Sequence, residues 1–140
     1  MNYRPKHFIL QELVGPDVFA ERGERAWELL QPAALVSLDK LRWRFGPVTV
    51  NNWHAGGQYK ESGLRTWGSM TGAKWSMHRF GGAYDCKFRD ATPQEVYDLI
   101  LLRPDEFPEI TTLENIIATP TWLHQDCRNH NREGIWIVNP

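Results

Sequence analysis

The stretch Ser76-Met77-His78-Arg79-Phe80-Gly81-Gly82-Ala83-Tyr84-Asp85 sets a histidine and an aspartate seven positions apart, with two glycines and an alanine between them. A further histidine stands in Thr121-Trp122-Leu123-His124-Gln125-Asp126. Two imidazoles and one carboxylate are the donor types of a catalytic zinc site, which keeps its fourth tetrahedral position for water, whereas structural zinc sites close all four. On that reading Gly81, Gly82 and Ala83 let the backbone turn so that His78 and Asp85 reach one ion unobstructed, since ligand distances of about 2.0 to 2.2 Å tolerate little crowding. On the spacing alone, the plainer account is a hydrogen-bonded core histidine and a turn aspartate.

The elements that must position these groups can be read from caps and periodicity. After Gly15-Pro16, Asp17 can cap a helix running to about Leu30, with Phe19, Ala26, Trp27 and Leu30 near one face. Pro32 restarts a second helix with the apolar stripe Leu35, Leu38, Leu41 and Phe45, ending at Gly46-Pro47. Val48-Thr49-Val50 is a short β-branched run. Residues 51 to 74 are rich in Gly, Asn and Ser and read as a long loop. Thr92-Pro93-Gln94-Glu95 is a capping box, and Val96, Leu99, Ile100 and Leu101 give that helix a buried side. Ile110 to Ile117, Thr121 to Arg128 and Gly134 to Val138 read as strands joined by turns. Helices first and mostly antiparallel strands later predict an α+β fold, a small sheet with helices packed on one side.

Composition bounds the function. The chain has 140 residues, 41% hydrophobic, with a formal net charge of -1, which suits one domain spanning 1–140. Its interspersed charges offer no footprint for nucleic acid or an anionic membrane, and Leu41-Arg42-Trp43-Arg44 is most simply a solvated helix edge. No stretch approaches the roughly 18 apolar residues of a membrane span, and the opening residues lack a signal-peptide core, so a cytoplasmic product without an export signal is expected. Two cysteines, Cys86 and Cys127, are too few for a disulfide scaffold and are expected to be reduced.

The pattern Ser76-x-His78-x-x-Gly81-x-Ala83-x-Asp85 resembles the signature of the M15 family of zinc peptidases. This is the group of D-alanyl-D-alanine carboxypeptidases and phage L-alanyl-D-glutamate endopeptidases, related in fold to the Hedgehog signalling domain. Ser62-Gly63-Leu64-Arg65 upstream and Trp122-Leu123-His124 downstream match further parts of the pattern, so the resemblance spans roughly residues 48 to 128. It implies Zn2+ held by His78, Asp85 and His124, Arg65 polarising the scissile carbonyl, and Ser76 hydrogen-bonding the peptide substrate. A salt bridge for Arg65 and a turn for Ser76 are the alternatives without the motif. The implied protein is a monomeric hydrolase of peptidoglycan peptides, made without a leader and acting at the cell wall after release, or carried on a virion. A non-catalytic zinc-binding domain of the same fold, binding wall or serving as a phage structural module, is the rival.

One position departs from the family. Many members place a catalytic carboxylate three residues before the last histidine, where this chain has Thr121. A metal-activated water still needs a base. Glu114 is the first candidate: if 110–117 and 121–128 pair as a hairpin turning near Thr119-Pro120, Glu114 falls opposite His124 on the same face. An exposed strand glutamate is the alternative. Asp126 is the second candidate, sharing a strand face with Trp122 and His124, and it suits the task of orienting an imidazole. By the same parity Cys86 and Cys127 face away from the site, which argues against a thiolate-rich zinc centre. His54 lies in the long loop, His7 has no context, and Arg128-Asn129-His130-Asn131 lacks the paired histidine of a nuclease element. Of seven tryptophans, Trp53, Trp67, Trp75 and Trp122 flank the proposed site in sequence, where flat rings can wall a cleft or meet the sugar faces of a glycopeptide.

Overall fold

Proline and glycine set the ends of the helices. In the computed structural model, which describes residues 2–140, helix α1 covers Pro16–Arg22 and starts from Gly15, with Pro16 where a missing N–H costs nothing. Asp17 therefore sits in the first turn and is not the cap. The helix expected to reach Leu30 stops early: Gly23 adopts φ 53°, and the chain continues as a 3-10 segment over Gly23–Leu29. Helix α2, Pro32–Phe45, begins at its proline, buries Ala34, Leu35, Leu38 and Leu41, and ends at Gly46 with φ 82°. Helix α3, Pro93–Leu102, carries the full capping box. Glu95 N–H donates to Thr92 Oγ1 at 3.1 Å and Thr92 N–H donates back to the Glu95 carboxylate at 2.7 Å.

Five strands follow: β1 Val48–Thr49, β2 Ala83–Phe88, β3 Thr112–Glu114, β4 Leu123–Asp126 and β5 Trp136–Val138. They form one sheet in the order β1-β2-β4-β3-β5, antiparallel except for the β3–β5 pair. The fold is α+β. The last three strands are shorter than their sequence runs, partly because Asn115 gathers the chain after β3. Its side-chain oxygen accepts from Ile117 N–H at 3.1 Å and its carbonyl from Ala118 N–H at 2.9 Å. Residues 51 to 74 hold only a 3-10 turn, Trp53–Ala55, and no strand.

Strand parity divides the sheet into two faces. Tyr84, Cys86, Leu113 and Leu123 face α2 and α3 and are fully buried. Gln125 shares that face and accepts from Ser37 Oγ of α2 at 3.0 Å. Each buried leucine here stabilises the fold by about 1.5–3 kcal/mol relative to exposure, so this face fixes the strands. The other face carries Asp85, His124 and Glu114.

Candidate metal centre

Asp85 of β2 and His124 of β4 stand directly opposite one another, as do Ala83 and Asp126. The β3–β4 register, Thr112 with Asp126 and Leu113 with Gln125, runs on to set Glu114 across from His124. Beyond Glu114 lies Val138 of β5. One row across four strands is therefore Asp85, His124, Glu114 and Val138.

His78 reaches this row from a 3-10 turn, Met77–Phe80, whose N-terminus is capped by Ser76 Oγ accepting from His78 N–H at 3.3 Å. The turn ends at Gly81 with φ 69°, and a Cβ there would lie 1.9 Å from the Leu29 carbonyl oxygen. Gln31 N–H donates to Gly81 O at 2.9 Å across the same contact. Gly81 does turn the chain as expected, but its close neighbour is the backbone at Leu29 rather than a metal ligand. Gly63 has a similar reason: a Cβ would meet Leu13 O at 2.1 Å, and its carbonyl is needed against His78.

Three donor atoms converge. His78 Nε2 lies 3.2 Å from Asp85 Oδ1 and 3.2 Å from His124 Nδ1, and His124 Nδ1 lies 2.9 Å from Asp85 Oδ1. The far nitrogen of each ring is already committed: His78 Nδ1–H donates to Gly63 O at 2.8 Å and His124 Nε2–H donates to Asp126 Oδ2 at 3.0 Å. With those tautomers, the two near nitrogens present lone pairs to each other and to a carboxylate oxygen. Such a set needs a positive charge at its centre. A tetrahedral ion at about 2.0–2.1 Å from each donor would space its ligands about 3.3–3.4 Å apart, close to the separations found. His78, Asp85 and His124 are thus a group that could hold a metal ion.

The electrostatics around the three side chains agree. Burial alone would raise the Asp85 pKa, but the neighbouring His78 and the hydrogen bonds from His124 and His78 hold it well below the carboxylate range. Its second oxygen accepts from Arg65 Nη2 at 2.9 Å. Burial lowers His78, with the Asp85 charge opposing. Burial also disfavours the charged form of His124, yet hydrogen bonds to Asp126 and Asp85 push it up to about 9.

The remaining sequence candidates separate clearly. Glu114 Oε1 lies 3.8 Å from His124 Nδ1, on the donor side of the ring, and Glu114 lines the open cleft. Asp126 is fully buried behind His124, held by Arg128 Nε at 2.9 Å, and does not reach the cleft. Burial opposes its ionisation, but the bonds from His124 and Arg128 keep its pKa below the ordinary value. Arg65 makes the salt bridge, ion-paired to Asp85 while its Nε–H donates to Glu61 O at 2.7 Å, and it also lines the cleft. Ser76 Oγ caps its turn and also faces the cleft.

The cleft encloses about 700 Å³. Trp75 and Trp122 wall it, but Trp53 and Trp67 do not: Trp53 packs against Phe19 and donates to Val14 O at 2.9 Å, and Trp67 borders a separate groove. His54 stacks edge-on against Trp53, away from the site. Both cysteines are free, Cys86 buried in the core and Cys127 with its thiol toward Gln31. Three contributors went unrecognised in the sequence. Trp136 and Val138 line the cleft, which the alternation of β5 could have suggested, and the Gly63 carbonyl left no signal in residue type.

Searched against models of protein families, curated proteins and solved structures, the chain matches none. Among the described residues, no helix is long and apolar enough to cross a membrane.

Proposed function

We propose that the protein is a zinc-dependent peptidase acting on peptidoglycan stem peptides, the activity that the M15-like motif implies. The observation that carries this reading is the convergence of His78, Asp85 and His124 at an open cleft, with Glu114 beside the donor nitrogen of His124. When bound, zinc would supply Lewis acidity and a water acidified toward a pKa of about 7.

The chain's own residues divide the remaining work. Glu114 faces the donor side of the triad, so its carboxylate takes the proton of the attacking water and passes it to the leaving amine. Arg65, pinned by Asp85 and by the Glu61 carbonyl, presents its guanidinium edge to the cleft, where negative charge develops on the scissile carbonyl. The Ser76 hydroxyl accepts from His78 N–H and keeps its own proton to donate to substrate. Asp126 fixes the tautomer and tilt of His124 from behind and takes no part in proton transfer.

Zinc quantification combined with mass spectrometry of digested peptidoglycan tests this. Wild type should carry one zinc and release peptide fragments. Glu114→Gln should keep the zinc and lose about 10²- to 10⁴-fold in rate, the usual worth of a positioned proton acceptor. A wild type that binds zinc and never cleaves would favour the non-catalytic domain instead.

A further inference from the structure

Three exposed aromatic rings stand together next to the cleft: Trp67, Trp75 and Phe80 are 55%, 68% and 42% exposed. Trp67 meets Trp75 edge-on at 5.8 Å and Phe80 at 5.5 Å, while Trp75 and Phe80 lie nearly parallel, 11° apart at 6.4 Å. Scattered exposed rings need no explanation, but a contiguous aromatic patch marks a binding surface.

The patch is held in shape without a ligand. The Arg79 guanidinium donates to the carbonyls of Thr66, Trp67 and Ser69 at 3.4, 3.0 and 3.0 Å. The Glu61 carboxylate accepts from the hydroxyls of Ser69 and Thr71. A loop fixed in this way has already lost the conformational entropy that binding would otherwise cost.

The chemistry around the rings selects among occupants. The Lys74 ammonium stands 5.3 Å from the Trp75 ring and the Arg79 guanidinium 5.4 Å from the Trp67 ring. A pyranose matches this surface, because its C–H face is apolar and stacks on the electron-rich face of an indole while its rim of hydroxyls reaches the Lys74 ammonium, the Arg79 donors being spent on the loop carbonyls. An acyl chain would offer no acceptor to the Lys74 ammonium, which stands over the Trp75 ring and also lines the cleft. Trp75 also walls the metal cleft. One ligand can therefore have a peptide in the cleft and a sugar on the rings.

We infer that Trp67, Trp75 and Phe80 form a saccharide-stacking subsite for the glycan strand to which the stem peptide is attached. The identity of the strand rests on the peptidase reading, whereas the stacking needs no hydrolysis.

The test uses the Glu114→Gln protein, so that nothing bound is consumed, with a soluble β-1,4-linked N-acetylglucosamine oligosaccharide and peptide-free glycan strands as probes. Titration followed by calorimetry and by the indole N–H resonances should show saturable binding. Trp67→Ala should weaken it about tenfold, and Trp67→Phe less, since a smaller ring keeps part of the face. In the otherwise wild-type protein, Trp67→Ala should leave cleavage of a free stem peptide unchanged and slow release from intact wall. Absence of binding to both probes, or equal affinity in Trp67→Ala, overturns the inference. So does self-association or vesicle binding that depends on Trp67 while neither sugar binds. Sugar binding by a protein that never hydrolyses peptide would overturn the peptidase reading alone.

Discussion

The candidate metal-binding triad and the aromatic loop sit side by side but are built in opposite ways. His78, Asp85 and His124 are 1%, 9% and 4% exposed, and two of the three lie opposite each other on paired strands. Trp67 and Trp75 are more than half exposed on a segment without regular structure, held by side-chain bonds to Arg79 and Glu61. The difference follows from what each must do. Ligands to a small ion must be held to fractions of an ångström, which strands locked by a core can do. A stacking surface tolerates looser placement, because dispersion and quadrupole terms vary gently with ring position.

The largest expected effect breaks the triad itself. His124→Ala removes one donor and takes one imidazole contact from each of two buried carboxylates, leaving Asp85 with His78 and Arg65 and Asp126 with Arg128. Losing hydrogen bonds to charged groups of this kind costs about 1.5–3 kcal/mol. Elemental analysis should show loss of stoichiometric metal, and denaturant unfolding a correspondingly lower stability. Trp67→Ala, in the loop, should keep both the metal and nearly all the stability. If His124→Ala retained metal at wild-type affinity, the three side chains would not be its ligands.

A smaller change sharpens the same contrast. Asp126→Asn preserves shape but weakens the acceptor behind His124, and outer partners of metal-bound histidines are worth about 10- to 100-fold in metal affinity. Competition against a chelator measures the loss. Because Asp126 is also bonded to Arg128, the variant Arg128→Gln should move affinity in the same direction and by less. An Asp126→Asn protein with unchanged affinity but no activity would instead make Asp126 the proton acceptor, against its position behind the ring.

Much of this arrangement was legible in the sequence wherever a local rule decided it. The Thr92 capping box and the proline starts of α2 and α3 fixed helices, and a hairpin of 110–117 with 121–128 turning near Thr119-Pro120 predicted Glu114 across from His124. What the sequence hid was non-local. Alternation sets Trp136 and Val138 on one face, but nothing in residues 134 to 138 told that β5 would run parallel to β3 and turn that face to the cleft. Gly81 suggested a turn, but the reason no other residue fits is the Leu29 carbonyl, more than fifty positions earlier. Trp53 and Trp67 looked like cleft walls because sequence proximity to the site residues carries no direction. The helix that breaks at Gly23 is a fourth case, in which apolar periodicity continued through a residue whose backbone had left the α region.

The smallest effect concerns the anchor of the aromatic loop. Hydrogen bonds from the Ser69 and then the Thr71 hydroxyls hold the Glu61 pKa below its ordinary value of 4.5, with burial opposing and the Arg65 and Lys60 charges assisting. The folded-state pKa is thus the lower one, so the contribution of Glu61 is complete above about pH 4.5 and fades as pH falls through the depressed value. Each solvent-facing bond is worth only about 0.5 kcal/mol, so its loss should loosen the loop without unfolding the sheet. Protection factors of the amides in residues 66 to 75, corrected for the intrinsic slowing of exchange in acid, should fall on acidification ahead of those in β2 and β4. Glu61→Gln keeps an acceptor but cannot titrate, and should flatten that pH dependence. If acid loosened the Gln variant to the same extent, the loop would owe its shape to Arg79 alone, and the division between a strand-locked centre and a carboxylate-tethered platform would have to be redrawn.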